Sequence, residues 1–233
     1  MNFLFDLYGT LADIWTDEEL PRLWQGVCLL LDEDVNEWAN VKKEYATLCK
    51  EKKKSKYHEP DLYEVFSDMI EKRGVRISSA ELAISFRRLS IIRLKLFPRI
   101  KELLTELGKL GAGVYLVSNA QSCFTRPELD ELGITRHFDS IVLSSEEGVK
   151  KPSAEIFRIA FERFGISAED SYYVGNDMHD DVYGASGVGL KTVYIKTEQS
   201  GIYDEDELPA PDIVAKDHED LYNILTSIAS SNK

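Results

Sequence analysis

The hydrophobic positions of this chain fall into short apolar runs, separated by longer segments in which apolar residues recur at helical spacing. The predicted strands are residues 3–7, 114–117, 141–143, 172–174, 192–195 and, as a short last strand, 213–214. The predicted helices between them are residues 100–110, 155–164, 180–186 and 221–229. Because strands that alternate with helices form βαβ units, the sequence predicts an α/β fold with a Rossmann-like, mostly parallel sheet covered by helices on both faces.

Residues 16–96 show a different pattern, which is helical with no convincing strand. One apolar stripe at helical spacing comprises Leu82, Phe86, Leu89 and Ile92, and either Ser78 or Ser79 before it is a suitable N-cap. The sequence therefore predicts an all-helical cap domain, residues 14–97, that folds over a core domain made of residues 1–13 and 98–233.

Composition limits the classes of partner. The 233 residues carry a net charge of −13, which opposes binding to nucleic acid, and no apolar run is long enough to span a bilayer. The cysteines are odd in number and scattered, as is typical of reduced thiols: Cys28, Cys49 and Cys123. We therefore predict a cytoplasmic protein, monomer or homodimer, with a small anionic substrate and no membrane partner. The acidic run of residues 204–207 is interpreted as a solvated loop.

Polar residues follow four of the predicted strands. They are Asp6, the pair Ser118-Asn119, the segment Lys150-Lys151-Pro152, and Asn176-Asp177 with Asp180-Asp181. Each has an ordinary explanation when taken alone, since serine caps helices and aspartate favours helix N-termini. Together they predict a ligand site, because the carboxyl ends of parallel strands line the binding crevice of an open α/β sheet. A carboxylate placed there can act as a nucleophile.

These segments resemble the four motifs of the haloacid dehalogenase superfamily of hydrolases. The matching segments are residues 5–11, 116–119, 148–152 and 174–185, in the order that the family has them. The resemblance extends from residue 3 to residue 195, and the helical segment is similar to the cap that the family inserts after its first strand.

The resemblance implies a role for each motif residue. Asp6 is the implied nucleophile, with Ser118 and Lys151 stabilising the transferring group. The implied substrate-binding residues are Thr10, Ser118, Asn119 and Lys151. The implied ligands of a Mg²⁺ cofactor are Asp6, the main-chain carbonyl of Tyr8 and a side chain of the fourth motif. For that last ligand the sequence favours Asp177 over Asn176, with Asp181 bracing Lys151 or the waters on the metal.

The sequence departs from the family's phosphatases at Tyr8, where they usually carry a second aspartate. That aspartate protonates the leaving oxygen and later activates water, whereas tyrosine, with an ordinary pKa of about 10, is a poor base at neutral pH. Tyr8 remains a candidate proton donor. The alternatives are His179, a cap residue, or a substrate with a good leaving group. Tyrosine is also what the dehalogenating branch carries, since halide leaves without a proton.

Two other positions oppose dehalogenation. The family's dehalogenases have few acidic residues in the fourth motif, which here contains three aspartates. They also place an arginine in the cap where the closest alignment gives Ala39. The leading hypothesis is therefore a Mg²⁺-dependent phosphatase of a small phosphorylated metabolite. The alternatives are a 2-haloacid dehalogenase and a catalytically weak protein that binds a ligand.

Overall fold

The computed structural model describes residues 1–203 and 208–231, so the predicted acidic loop at 204–207 lies outside the described residues. The strands are β1 (Asn2–Phe5), β2 (Ala12–Thr16), β3 (Ile91–Leu96), β4 (Gly113–Ser118), β5 (Ser140–Leu143), β6 (Ser171–Gly175), β7 (Lys191–Ile195) and β8 (Ile213–Ala215). The helices are α1 (Pro21–Leu30), α2 (Trp38–Lys52), α3 (Leu62–Glu71), α4 (Ser79–Ser90), α5 (Ile100–Lys109), α6 (Ser122–Glu131), α7 (Ser144–Glu147), α8 (Ala154–Phe164), α9 (Gly184–Ser186) and α10 (His218–Ser230). A π-helical turn, Met178–Tyr183, leads into α9.

Six strands form one parallel sheet in the order β5-β4-β1-β6-β7-β8, which confirms the predicted fold class. Successive residues of β1 point to opposite faces of this sheet. Phe3 and Phe5 pack in a cluster with α5 and α10, whereas Leu4 packs in a second cluster with α8. Both faces are therefore buried under helices, which explains why the strands are apolar at nearly every position.

The central position of β1 places the residue after it at the middle of the sheet edge. Phe5 is in register with Leu116 on β4 and with Val174 on β6. The chain therefore leaves all three strands at the same edge, and Asp6 follows between Val117 and Gly175. This geometry follows from topology, because the carboxyl ends of parallel strands share one edge.

Helices α1 to α4 form a helical insert, residues 21–90, with its own apolar core. Trp24, Phe66 and Phe86 are buried there with ring centroids 5.4 Å apart in the Trp24–Phe86 and Phe66–Phe86 pairs. The predicted cap at Ser78 is confirmed, because its hydroxyl accepts from the Glu81 amide and the Glu81 carboxylate accepts from the Ser78 amide. Among the described residues, no helix is long and apolar enough to cross a membrane.

The prediction of helical structure up to residue 96 is wrong at its end. Residues Ile91–Leu96 form β3, which pairs antiparallel with β2, and Ile92 is 51% exposed instead of belonging to the stripe of α4. The overlooked signal is an alternation of period two, in which Arg93 and Lys95 share one side and both contact Asp13. The two strands form a ribbon between the sheet and the helical insert, so the predicted domain boundary after residue 13 falls inside β2.

Candidate active site

Asp6 lies at the edge of the sheet and is only 7% exposed. Its Oδ1 accepts hydrogen bonds from Ser118 Oγ at 2.9 Å and from Lys151 Nζ at 2.8 Å. Its Oδ2 accepts only a long hydrogen bond, 3.4 Å, from Thr10 Oγ1 among the contacts of the described residues. The structure thus brings the first three motifs together, and it holds one oxygen of Asp6 more firmly than the other.

Lys151 is 2% exposed, and its ammonium group has three partners. These are Asp6 Oδ1, Asp181 Oδ1 at 2.7 Å and the Tyr173 hydroxyl at 2.7 Å. Burial alone would lower the pKa of Lys151, but Asp181 and Asp6 outweigh it and raise that pKa well above its ordinary value. Burial raises the pKa of Asp181 above its ordinary value, and the charge of Lys151 opposes this rise. Lys151 therefore carries a positive charge between two carboxylates.

Tyr173 is a site residue that the sequence analysis missed. It lies on β6, fully buried, and its hydroxyl donates to the Val117 carbonyl at 2.6 Å while it contacts Lys151. Nothing in its apolar neighbourhood distinguishes it from a core residue. Its role is to hold the Lys151 ammonium against Asp6.

The Asn119 side chain pairs with the main chain of the third motif. Its Oδ1 accepts from the Lys151 amide at 2.8 Å, and its Nδ2 donates to the Lys151 carbonyl at 3.1 Å and to Asp180 Oδ2 at 2.9 Å. The structure thus shows Asn119 fixing the lysine loop, and substrate binding by Asn119 stays a prediction.

The carboxylates of the fourth motif are used to shape its loop. Asp181 Oδ2 accepts from the amides of Asn176 and Asp177, at 3.0 and 2.9 Å. Asp177 Oδ1 accepts from the amides of His179 and Asp180, and its Oδ2 accepts from the Tyr203 hydroxyl. Asp177 therefore caps the π-helical turn, and both of its oxygens already have partners.

The Asn176 side chain, in contrast, lies beside the loop that follows Asp6. Its Oδ1 accepts from Thr10 Oγ1 at 3.1 Å, the same hydroxyl that contacts Asp6 Oδ2. Gly9 permits this approach: its φ is +86°, and a Cβ there would lie 2.4 Å from Asn176 Nδ2.

We therefore expect Gly9→Ala to damage the site. The new methyl group would force Asn176 away from Thr10, and the positive φ would add strain of about 1–2 kcal/mol. The measurements are the free energy of unfolding and the hydrolytic rate, both of which should fall. The control is Gly111→Ala, also at positive φ but with no atom within 4 Å of its Cβ, which should lower stability alone.

The oxygen atoms around Asp6 are suited to Mg²⁺. Asp6 Oδ2 and Asn176 Oδ1 both contact the Thr10 hydroxyl, at 3.4 and 3.1 Å, so oxygens from two different strand ends lie around one point. Hard oxygen ligands, few in number and completed by water and substrate, are what Mg²⁺ takes in such sites. Within residues 1–203 and 208–231, no group of three or more His, Cys, Asp and Glu side chains is arranged to hold a metal by itself.

The Tyr8 hydroxyl is directed to α6 rather than to Asp6. It lies 2.9 Å from Thr125 Oγ1 and donates a short hydrogen bond to Glu128 Oε2. Burial of the hydroxyl, reinforced by the charge of Glu128, raises the pKa of Tyr8 above its ordinary value. In this conformation Tyr8 is therefore poorly placed to exchange protons with a group on Asp6.

His179, the alternative proton donor, is also engaged elsewhere. Its Nδ1 lies 2.8 Å from Asp180 Oδ1, and its ring stacks with Tyr183 and Tyr203 at centroid distances of 5.8 and 6.1 Å. The side chain is 35% exposed, in keeping with its interpretation as helix surface.

This fold and the four assembled motifs define a Rossmann-like α/β protein with a helical insert. The profile of the haloacid dehalogenase-like hydrolases matches residues 34–195, which is more than half of the chain. The chain therefore belongs to this family of hydrolases. The matched segment contains Ser118, Lys151 and Asn176, whereas Asp6 precedes it.

Several characterised relatives are phosphatases. The chain is 30% identical over 159 residues to the phosphoserine phosphatase of Thermus thermophilus, covering 68% of this chain and 62% of the relative. It is 25% identical over 239 residues to the glyceraldehyde 3-phosphate phosphatase of Pyrococcus furiosus, covering 98% and 94%. Other relatives at about 30% identity are covered over 48% and 58% of their length.

Solved structures of both branches of the family share the fold. The HAD phosphatase of Thermococcus onnurineus has a TM-score of 0.63 at 21% identity, with 96% of this chain and 97% of that chain covered. The L-2-haloacid dehalogenase of Xanthobacter autotrophicus has a TM-score of 0.60 at 18% identity, with the same coverage. At these identities the likeness concerns the fold alone.

Proposed function

We propose that this protein is a Mg²⁺-dependent phosphatase of a small phosphorylated metabolite, with Asp6 as the nucleophile. The observation that carries the proposal is the uneven fixing of the Asp6 carboxylate. Ser118 and Lys151 bind Oδ1, while Oδ2 has only a long contact with the Thr10 hydroxyl, which also contacts Asn176. The phosphatase names among the relatives favour phosphorus over carbon as the electrophile.

The reaction follows from these contacts. An oxygen of Asp6 attacks phosphorus and the bond from phosphorus to the ester oxygen breaks. Since Tyr8 and His179 are bound elsewhere, the leaving oxygen takes its proton from solvent water. A water molecule then hydrolyses the aspartyl phosphate, which frees Asp6 and phosphate and returns a proton to solvent. Ser118 and Lys151 orient the carboxylate for attack, and the charge of Lys151 stabilises negative charge on the transferring group. Asp6, the main-chain carbonyl of Tyr8 and Asn176 would hold Mg²⁺, which neutralises the charge of a phosphorylated substrate.

We assign the ligand of the fourth motif to Asn176 in preference to Asp177. Asn176 is 4% exposed beside Thr10, whereas the Asp177 carboxylate caps the π-helical turn. We expect Asn176→Asp to lower the Mg²⁺ concentration for half-maximal phosphate release by about fivefold, since a carboxylate binds Mg²⁺ more tightly than an amide. The measurement is a Mg²⁺ titration of the rate.

The matched variant is Asp177→Asn, which keeps the shape of the side chain. It should leave the Mg²⁺ requirement unchanged and lower stability by less than about 1 kcal/mol, because asparagine caps a helix about as well as aspartate does. If only Asp177→Asn shifts the Mg²⁺ dependence, the metal ligand of the fourth motif is Asp177 and not Asn176.

A carbon–halogen hydrolase is the second candidate, and the orientation of Tyr8 favours it. With its hydroxyl bound to Thr125 and Glu128, Tyr8 offers no acid beside Asp6, and halide needs none when it leaves. Two features oppose a carbon–halogen hydrolase: the fourth motif is acidic, and residue 39 is an alanine where the family's dehalogenases have an arginine.

One substrate panel separates the candidates. Phosphate esters, including p-nitrophenyl phosphate, and 2-chloropropionate are incubated with excess Mg²⁺ or with EDTA. Phosphate release that disappears in EDTA supports the proposal, and chloride release in EDTA replaces it with the dehalogenase. If no substrate is turned over but a ligand raises the melting temperature, the result supports a binding protein. We further propose that the substrate is anionic and that the protein acts in the cytoplasm as a monomer or homodimer.

A further inference from the structure

Helix α6 contacts the helical insert along one of its faces. Gln121, Phe124 and Glu128 follow one another at helical spacing and therefore lie on the same side. Gln121 accepts from the Leu62 amide at 3.0 Å and donates to the Pro60 carbonyl at 2.9 Å. Phe124 completes the aromatic core of the insert. The insert therefore docks on the helix that directly follows the second motif.

At the far end of this face, Arg87 of the insert pairs with Glu128. Arg87 Nε lies 2.5 Å from Glu128 Oε1, and Nη2 lies 3.3 Å from Oε2. The side chains are 15% and 5% exposed, and the guanidinium packs 4.9 Å from the ring centroid of Phe124. An ion pair this well buried and bidentate contributes more than a surface pair does.

The same carboxylate also binds Tyr8. Glu128 Oε2 accepts the Tyr8 hydroxyl, and the Arg87 guanidinium lies 5.8 Å from the centroid of the Tyr8 ring. Tyr8 is two residues from Asp6, and its main-chain carbonyl is one of the proposed Mg²⁺ ligands. One side chain of the core, Glu128, thus joins the insert to the loop that carries the nucleophile.

We propose that Arg87 and Glu128 are positioning residues that act through Tyr8 and couple docking of the insert to the conformation of residues 6–10. The proposal rests on the proposed function, since it concerns the same site. Tyr8 occupies the position where the family's phosphatases usually carry an acid, and its hydroxyl is bonded to Glu128. The Tyr8–Arg87–Glu128 cluster therefore prepares the docked conformation before substrate arrives.

This role has a kinetic signature. When the binding-competent conformation is only partly populated, the apparent affinity for substrate falls by that fraction. Weakening the cluster should therefore raise KM, while kcat changes little because the substrate-bound protein is docked again. A residue that exchanges a proton with substrate would instead lower kcat.

The test uses Arg87→Met, Glu128→Gln and the double variant in the full-length chain. Each single variant is expected to raise KM about tenfold with kcat within about threefold of wild type. The double variant should be no worse than either single, because both remove one interaction. Arg87→Lys keeps the charge, so its KM should lie between those of wild type and Arg87→Met. Additive losses, or a loss confined to kcat, would overturn the proposal.

The matched control is an ion pair between α6 and α7 whose side chains make no hydrogen bond to the insert among the described residues. Arg126 Nε lies 2.6 Å from Glu146 Oε1, and both residues belong to the core. Arg126→Met and Glu146→Gln should leave KM within about twofold of wild type. An equal rise in KM in these variants would mean that any loss of charge near the insert suffices, and would also overturn the proposal.

A second readout does not depend on activity. Amide hydrogen exchange in α4, Ser79–Ser90, should be faster in Glu128→Gln than in wild type, and unchanged in Glu146→Gln. If the wild-type protein releases no phosphate, the proposed function fails, and exchange still tests the coupling. If the wild type is active and Glu128→Gln alters neither KM nor exchange, only the coupling fails. If Glu128→Gln does not fold, the same exchange measurement is made on Arg87→Met.

Discussion

Replacing Asp6 by asparagine is expected to lower kcat/KM for phosphate release by about 10⁴-fold or more. The amide is nearly isosteric but is a poor nucleophile, so no aspartyl phosphate forms. Asp6 is the only group in our proposal that bonds to phosphorus. The measurement is initial-rate kinetics with p-nitrophenyl phosphate at saturating Mg²⁺.

The control for this substitution is Asp13→Asn. Asp13 is 8% exposed, close to the 7% of Asp6, but it pairs with Arg93 in the ribbon of β2 and β3. The Asp13→Asn variant should keep the rate within about threefold of wild type, since Asp13 does not take part in the proposed reaction. Appreciable turnover by Asp6→Asn, with fold and melting temperature intact, would remove Asp6 from the mechanism.

Replacing Lys151 by methionine is expected to lower the free energy of unfolding by about 3–5 kcal/mol, as well as abolishing activity. Lys151 is 2% exposed and bridges two carboxylates, so its removal leaves Asp6 and Asp181 buried without a positive partner. The measurement is urea denaturation followed by circular dichroism.

Two further variants test the cause of this loss. Lys150→Met removes the neighbouring lysine, which is 32% exposed and paired with Glu59 at 3.3 Å, and should cost less than about 1 kcal/mol. The double variant Lys151→Met/Asp181→Asn should be more stable than Lys151→Met alone, because one uncompensated charge is removed. If the loss of stability in the double variant equals the sum of the losses in Lys151→Met and Asp181→Asn, the uncompensated charge is not the reason for the loss in Lys151→Met.

Topology explains why much of the site is predictable from the sequence. Asp6 and Ser118 each follow a strand, and a parallel sheet brings such residues to one edge whatever the details of packing. Asn176 and Asp177 show the limit of this argument. Both follow β6, but which side chain turns towards Asp6 depends on which one caps the next turn, and the sequence allows either.

The residues that the sequence analysis missed lie inside regular elements. Tyr173 stands within an apolar strand, and Arg87 and Glu128 stand on helices among other charged residues. Their partners are 22 to 120 positions away along the chain, so no local pattern reveals them. The strand β3 was missed because its alternation directly follows the helical stripe of α4.

The ribbon of β2 and β3 has a consequence for how such proteins diversify. Its two strands run side by side, so the polypeptide leaves the sheet and returns to it at neighbouring points. Any helical module whose two ends lie equally close together can be inserted there without moving β1 or Asp6. Grafting the corresponding segment of a relative between Thr16 and Ile91 is therefore a practical route to new substrate preferences on an unchanged α/β domain.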